Sequence, residues 1–234
     1  MGRLAAVLMA ALAAVYALSF APAAPALDRG VQVAYAIEDG RSVPTDRVIA
    51  ALADIDRLDE GGCLLGLPRL RAILLASLVA SDGGGVRSED GASAIARSLI
   101  CRPNDGYLLA LLAELRLAQG DVTGASEALA RSRTVAPREG RLLPRRQVLA
   151  WTIFDLLDPA SQAATLEEFT KLVEGRYFPT ALLILQDEGA RRAEMFEDAL
   201  ERVTLLSRQL LARVLYPRST AVNIPGVART ASQR

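Results

Sequence analysis

Two cysteines, two adjacent glutamates and a cluster of arginines are the groups whose types and spacing could do chemistry in this 234-residue chain. Cys63 and Cys101 could join as a disulfide or remain separate thiols. They cannot make a zinc site alone, because four ligands are the rule and the chain has no histidine to add. The same absence removes the Ser-His-Asp and Cys-His nucleophile systems and the imidazole base. Glu167 and Glu168 are the nearest thing to a catalytic carboxylate pair. Neighbours on a helix diverge by about 100°, however, and do not converge on one substrate, so they are expected on a solvated face. Arg138, Arg141, Arg145 and Arg146 could bind an anion or a headgroup. They could equally line a solvated helix start beside acidic neighbours. There is no phosphate-binding loop, dinucleotide fingerprint or nucleophile elbow, so no catalytic residue, cofactor or metal is assigned. Acidic and basic residues balance at 27 each, which does not suggest a nucleic-acid surface.

The elements that must position these groups are helices. Hydrophobic residues make up 51% of the chain but aromatics only 5%, a composition rich in Ala and Leu that favours helix over sheet. Residues 4–24 form an uncharged apolar run entered through Arg3. At about 1.5 Å per residue it can cross a hydrocarbon core of roughly 30 Å. Three readings stay open for it: a retained single-span anchor, a signal peptide cleaved near Ala21-Pro22-Ala23, or a buried helix. Arg3 before it and Asp28 after it favour a body outside the cytoplasm. Residues 28–44 lack periodicity and read as a linker. Thr45 then caps a helix with the stripe Val48, Ile49, Leu52 and Ile55, stopped by Gly61-Gly62.

Residues 67–80 predict a helix with Pro68 in its first turn and a stripe of Leu70, Ile73, Leu74, Ser77 and Leu78. The run Gly83-Gly84-Gly85 predicts a turn. A second helix follows from Ser88 to about Ile100, facing inward through Ala92, Ile95, Ala96 and Leu99. In such an antiparallel hairpin Cys63 and Cys101 come to the same end. If the body lies in an oxidising compartment, they can bond and stabilise the fold by about 4 kcal/mol.

Asn104 to Pro137 is the best-specified stretch. Asn104 or Asp105 caps a first helix with Leu108, Leu109, Leu112, Ala113 and Leu115 buried. Gln119-Gly120-Asp121 turns the chain, and a second helix ends at Ala136-Pro137. A small residue at Ala113, a glycine at Gly120, a small Ala125 and the terminating Pro137 resemble one tetratricopeptide (TPR) repeat. Leu109, Arg116 and Ser132 stand where that family usually has an aromatic, a tyrosine and an alanine. The resemblance implies an all-α fold of antiparallel helical hairpins in a short solenoid. It also implies a partner-binding inner face on the first helix at Tyr107, Ala110, Glu114 and Leu117. No cluster of Lys or Arg is present to clamp a terminal carboxylate.

Further on, Pro144 opens a helix to Leu157 with Trp151 in the core, and Asp158-Pro159 starts another that carries Leu166, Phe169, Leu172 and Val173. Gly175–Pro179 is a turn, and Thr180–Gln186 is apolar enough to be buried. Residues 190–216 read as one long amphipathic helix, and Ser219–Arg234 as a mobile basic tail. The expected organisation is an anchor or signal peptide at 1–27, a linker at 28–44, a TPR-like domain at 45–216 and a tail at 217–234. The layout, with Ala136-Pro137-Arg138-Glu139-Gly140, is similar to small membrane-anchored helical proteins of bacterial polysaccharide assembly. The resemblances imply a noncatalytic interaction scaffold or adaptor of the bacterial cell envelope. Its body would lie in the periplasm and its partners would be proteins, with membrane attachment through residues 4–24. The alternatives are a structural subunit or assembly factor of a membrane complex, or a body secreted to the periplasm after cleavage.

Overall fold

The computed structural model describes Met9 and residues 24–58, 62–63, 66–81, 85–216 and 222–228. The apolar run expected as a span or signal lies outside these residues except for Met9 and Ala24, as do Gly61, Gly83, Gly84 and most of the expected tail. Among the described residues no helix is long and apolar enough to cross a membrane. The secondary structure there is helical, with eleven α-helices in a helical-repeat-like layout. The chain divides into two compact units, 1–103 and 104–234, so the stretch expected as one body is parted at Pro103.

The first unit holds α1 (Ala24–Glu38), α2 (Thr45–Leu58), α3 (Leu67–Ala80) and α4 (Ser88–Cys101). The expected linker is therefore largely a helix. Its buried residues are Gly30 and Ala34, small side chains that give little hydrophobic contrast along the sequence but let helices approach closely. A Cβ on Gly30 would lie 2.6 Å from Ile55 Cδ1. Arg29 of α1 pairs with the buried Asp54 of α2 at 3.0 Å. Helix α3 touches α1, α2 and α4, which explains its apolarity on several sides. The inward faces of α2 and α4 are rotated from the expected stripes. Ala51, Ala94 and Ser98 are buried, whereas Ile49 is exposed.

The second unit starts with the hairpin of α5 (Gly106–Ala118) and α6 (Val122–Val135). Asp105 is the cap of α5, accepting from Leu108 N at 3.1 Å. Gly120 sits at φ 78° between the helices, and the Asp121 N–H closes back on Arg116 O at 2.9 Å. This is the left-handed turn that glycine enters without a Cβ clash. A Cβ on Gly106 would meet that of Ala136 at 2.4 Å, so glycine is needed where the start of α5 passes the end of α6.

Next come α7 (Leu142–Thr152), a 3-10 turn at Phe154–Leu156, α8 (Pro159–Glu174), α9 (Phe178–Glu188), α10 (Ala193–Glu201) and α11 (Leu205–Leu215). The helix expected to run from Pro144 to Leu157 thus begins earlier and breaks after Thr152. Asp158 caps α8 through its Oδ1, which accepts from Ala160 N at 2.9 Å and Ser161 N at 3.0 Å. The long helix expected at 190–216 is two. It breaks because Thr204 caps α11 and Glu174 of α8 accepts hydrogen bonds from the Thr204 backbone N–H and from the Ser207 hydroxyl, the latter at 2.9 Å.

Trp151, Phe154, Phe169 and Phe196 form the centre of this unit's core. Trp151 stacks on Phe154 with ring centroids 4.4 Å apart and lies 4.7 Å from Phe196. Residues 222–228, expected in a mobile tail, are docked on this core. Val222 and Ile224 are buried, and the Tyr216 hydroxyl accepts from Ile224 N at 3.1 Å and donates to Val227 O at 2.9 Å. The segment is held because Val222 and Ile224 join the core, with Val227 packed against it, and because its backbone groups find these partners.

Candidate functional site

Helices α5, α7 and α9 are successive neighbours in the second unit. Tyr107, Ala110, Glu114 and Leu117 follow one another at helical spacing along α5, as the partner-binding reading requires. The structure places them unequally. Ala110 is 0% exposed and Tyr107 is buried, so the first half of the stripe is packed inside the unit and is not an open binding face. Glu114 and Leu117 are half-buried.

Arg145 of α7 engages two residues of this stripe, Tyr107 and Glu114. Its guanidinium forks onto the Glu114 carboxylate, with Nη2 2.6 Å from Oε2, and its Nη1 donates to the Tyr107 hydroxyl at 2.9 Å. The Arg145 Cζ also lies 5.2 Å from the Tyr107 ring centroid. Burial works against this cation, but the hydrogen bonds and charge of Glu114, with a contribution from Tyr107, outweigh it and hold its pKa above the ordinary arginine value. Arg145 is therefore a strut between α5 and α7 rather than a free anion-binding group.

The next arginine, Arg146, differs more. It is 1% exposed, donating from Nη1 to Ala136 O at 3.1 Å and pairing through Nη2 with Glu168 Oε1 at 2.7 Å. The other carboxylate oxygen of Glu168 accepts from Arg133 Nε at 2.9 Å. Arg133 also donates to Thr165 Oγ1 at 2.8 Å. The expected solvated glutamate face is thus half right. Glu167 is exposed and pairs with Lys171, whereas Glu168 is buried between two guanidinium groups. Gln147 extends the network, donating to Thr165 O at 3.1 Å and accepting from Trp151 Nε1 at 3.1 Å. These polar groups join α6, α7 and α8 from within.

Beyond the Arg145 strut, the same face opens. A cavity of about 480 Å³ lies along α7, bounded by Glu114 and Arg145 at one end and reaching Val148, Thr152 and Thr180. A smaller one of about 90 Å³ shares Val148 and Thr152 and continues to Leu183 and Asp187. Val148 is 40% exposed and Leu183 46% exposed, so two apolar side chains stand open along this groove. Asp187 has no ion-pair partner among the described residues. The groove thus has apolar side chains along its length and charge near its ends. That composition suits recognition of a chain segment. No protein-family model, no curated protein and no solved structure matches the chain.

The other predicted residues also have defined places. Ala113 and Ala125 are fully buried between α5 and α6, and Pro137 follows the end of α6. The buried Ser132 hydroxyl donates to Gly106 O at 2.8 Å. Arg116 Nη1 donates to Gly124 O at 2.9 Å, tying the last turn of α5 to the first turn of α6. In the first unit Cys63 and Cys101 are joined as a disulfide, with Cα atoms 5.5 Å apart. Val148 and Leu183 did not stand out in the sequence. An apolar residue on an amphipathic helix reads as core, and only the helix arrangement shows that these two face outward.

Proposed function

We propose that this chain is a noncatalytic interaction scaffold with TPR-like hairpins, and that its second unit takes a segment of a partner protein in the α7–α9 groove. The observation that carries this reading is the pair Val148 and Leu183, two exposed apolar side chains bordering two neighbouring cavities that share Val148 and Thr152. Such a site gains affinity by removing both from water, while the exposed Asp187 near one end supplies register. The contact surface is therefore shifted from the stripe of α5 alone to Glu114 and Leu117 of α5 with α7 and α9. The disulfide supports a body in an oxidising compartment, consistent with periplasmic placement and membrane attachment through residues 4–24. An adaptor role in envelope polysaccharide assembly belongs to the same reading.

Site-specific photo-crosslinking in cells tests it. A crosslinker at Leu183 or Val148 is expected to capture a discrete protein, one at the exposed Glu167 is not, and Val148→Asp is expected to abolish capture from Leu183 without lowering the melting temperature. Equal capture from Glu167, or capture indifferent to Val148→Asp, would overturn the groove. A reporter fused after Arg234 is expected to be active only outside the cytoplasm, and cytoplasmic activity would overturn the placement.

A further inference from the structure

The disulfide of the first unit lies at the surface. Cys63 is exposed and Cys101 half-buried, and a cavity of about 280 Å³ is lined by both. Arg71, Arg97 and Ile100 share its wall. Ile100 is 81% exposed, an apolar side chain beside the bridge. Arg71 is engaged by Asp56, its Nε 2.7 Å from Oδ1. Arg97 is exposed and makes no ion pair among the described residues. It precedes Cys101 by four residues on α4, so the two share one helix face, with Cβ atoms about 5–6 Å apart.

We propose that Cys63–Cys101 is a thiol–disulfide exchange site for a dithiol protein, with Ile100 as the apolar footing and Arg97 as the cation that stabilises the departing sulfur. The partner's thiolate attacks the exposed Cys63 Sγ. A sulfur–sulfur bond forms there, the Cys63–Cys101 bond breaks, and its electron pair leaves on Cys101 Sγ as a thiolate beside Arg97. The partner's second thiolate then attacks the partner sulfur held on Cys63 and expels Cys63 as a thiolate. The partner dithiol has lost two electrons and become a disulfide, and the two cysteines have gained them and take up two protons.

Three features fit exchange in place. The attacked sulfur is reached without opening the core. The anionic leaving sulfur has on its own helix face a cation that makes no ion pair among the described residues, and the rate of exchange rises as the leaving thiol becomes more acidic. Ile73, Leu74, Leu78, Ala94 and Ile95 are buried in α3 and α4, a core that does not include the bridge sulfurs, and in the proposed exchange reduction and reoxidation cycle on a folded unit.

The experiment uses the full-length protein, with dithiothreitol and reduced glutathione as probes, and reads free thiols by alkylation after an acid quench. Reduction by dithiothreitol is expected without denaturant. Arg97→Gln is expected to slow reduction by glutathione about threefold, the effect of one unit charge near 6 Å in a water-like dielectric. Its oxidised form should keep the wild-type melting temperature. Under limiting glutathione, mass spectrometry should find the mixed disulfide on Cys63. A bridge that reduces only in denaturant, equal rates for wild type and Arg97→Gln, or glutathione carried on Cys101 would each overturn the assignment.

Discussion

Arg146 and Glu168 meet 2.7 Å apart inside the second unit, neither more than 6% exposed, and they hold α7 to α8. The carboxylate also takes Arg133, so one anion serves two cations. Burial pushes the Arg146 pKa below the ordinary arginine value, against the opposing pull of Glu168. Removing Glu168 leaves buried cations without their counter-charge. Glu168→Ala is expected to destabilise by about 3–5 kcal/mol in urea denaturation. The double change Arg146→Met with Glu168→Leu should cost much less, because it removes the charges together.

The disulfide predicts a redox-dependent stability. With its ends 38 positions apart, its loss is expected to cost about 4 kcal/mol by the chain-entropy account. Cys63→Ser with Cys101→Ser should lower the denaturation midpoint followed by circular dichroism, and reductant should then have no further effect. An unchanged midpoint would show that the bridge adds nothing to the folded unit.

Backbone conformation predicts a stabilising change at the end of α8. Arg176 sits at φ 62°, and its following residue closes the helix through Tyr177 N to Leu172 O at 3.0 Å. Position 176 is therefore the left-handed one, and Gly175 before it is not. Arg176→Gly is expected to raise stability by about 0.5–1 kcal/mol, since the Cβ penalty in this region exceeds the entropy glycine adds to the unfolded chain. A thermal melt that falls instead would refute this.

Glu174 predicts an acid limb. Its carboxyl is held below the ordinary glutamate value by the Thr204 backbone N–H first, with the hydroxyls of Ser207 and Thr204 adding to it. A depressed folded-state pKa contributes stability that is present above the unfolded value near 4.5 and is lost as pH falls through the folded one. Glu174→Gln should lower stability at pH 7 and flatten its decline below pH 4.5, as read by urea titrations across that range.

Much of this architecture is legible in the chain because some signals are local. Asp158-Pro159 announces the start of α8, Gly120 marks the turn between α5 and α6, and the leucines of α5 face inward as their spacing predicts. What stayed hidden depends on distant partners or on small residues. Glu168 looks like any surface glutamate until Arg133, 35 positions earlier, is brought against it. Gly30 and Ala34 bury α1 without an apolar signature. The groove is partly legible: α5 carries the spacing, but the packing of the unit buries Tyr107 and Ala110, and the opening lies farther along α7.

The docking of Val222 and Ile224 has a kinetic meaning. The second unit lacks part of its core until these residues have left the ribosome, whereas the first unit has all four of its described helices by Cys101. At ordinary synthesis rates that is a lead on the order of ten seconds. The first unit can therefore fold and oxidise Cys63 and Cys101 while the second still waits for the segment that Tyr216 fastens.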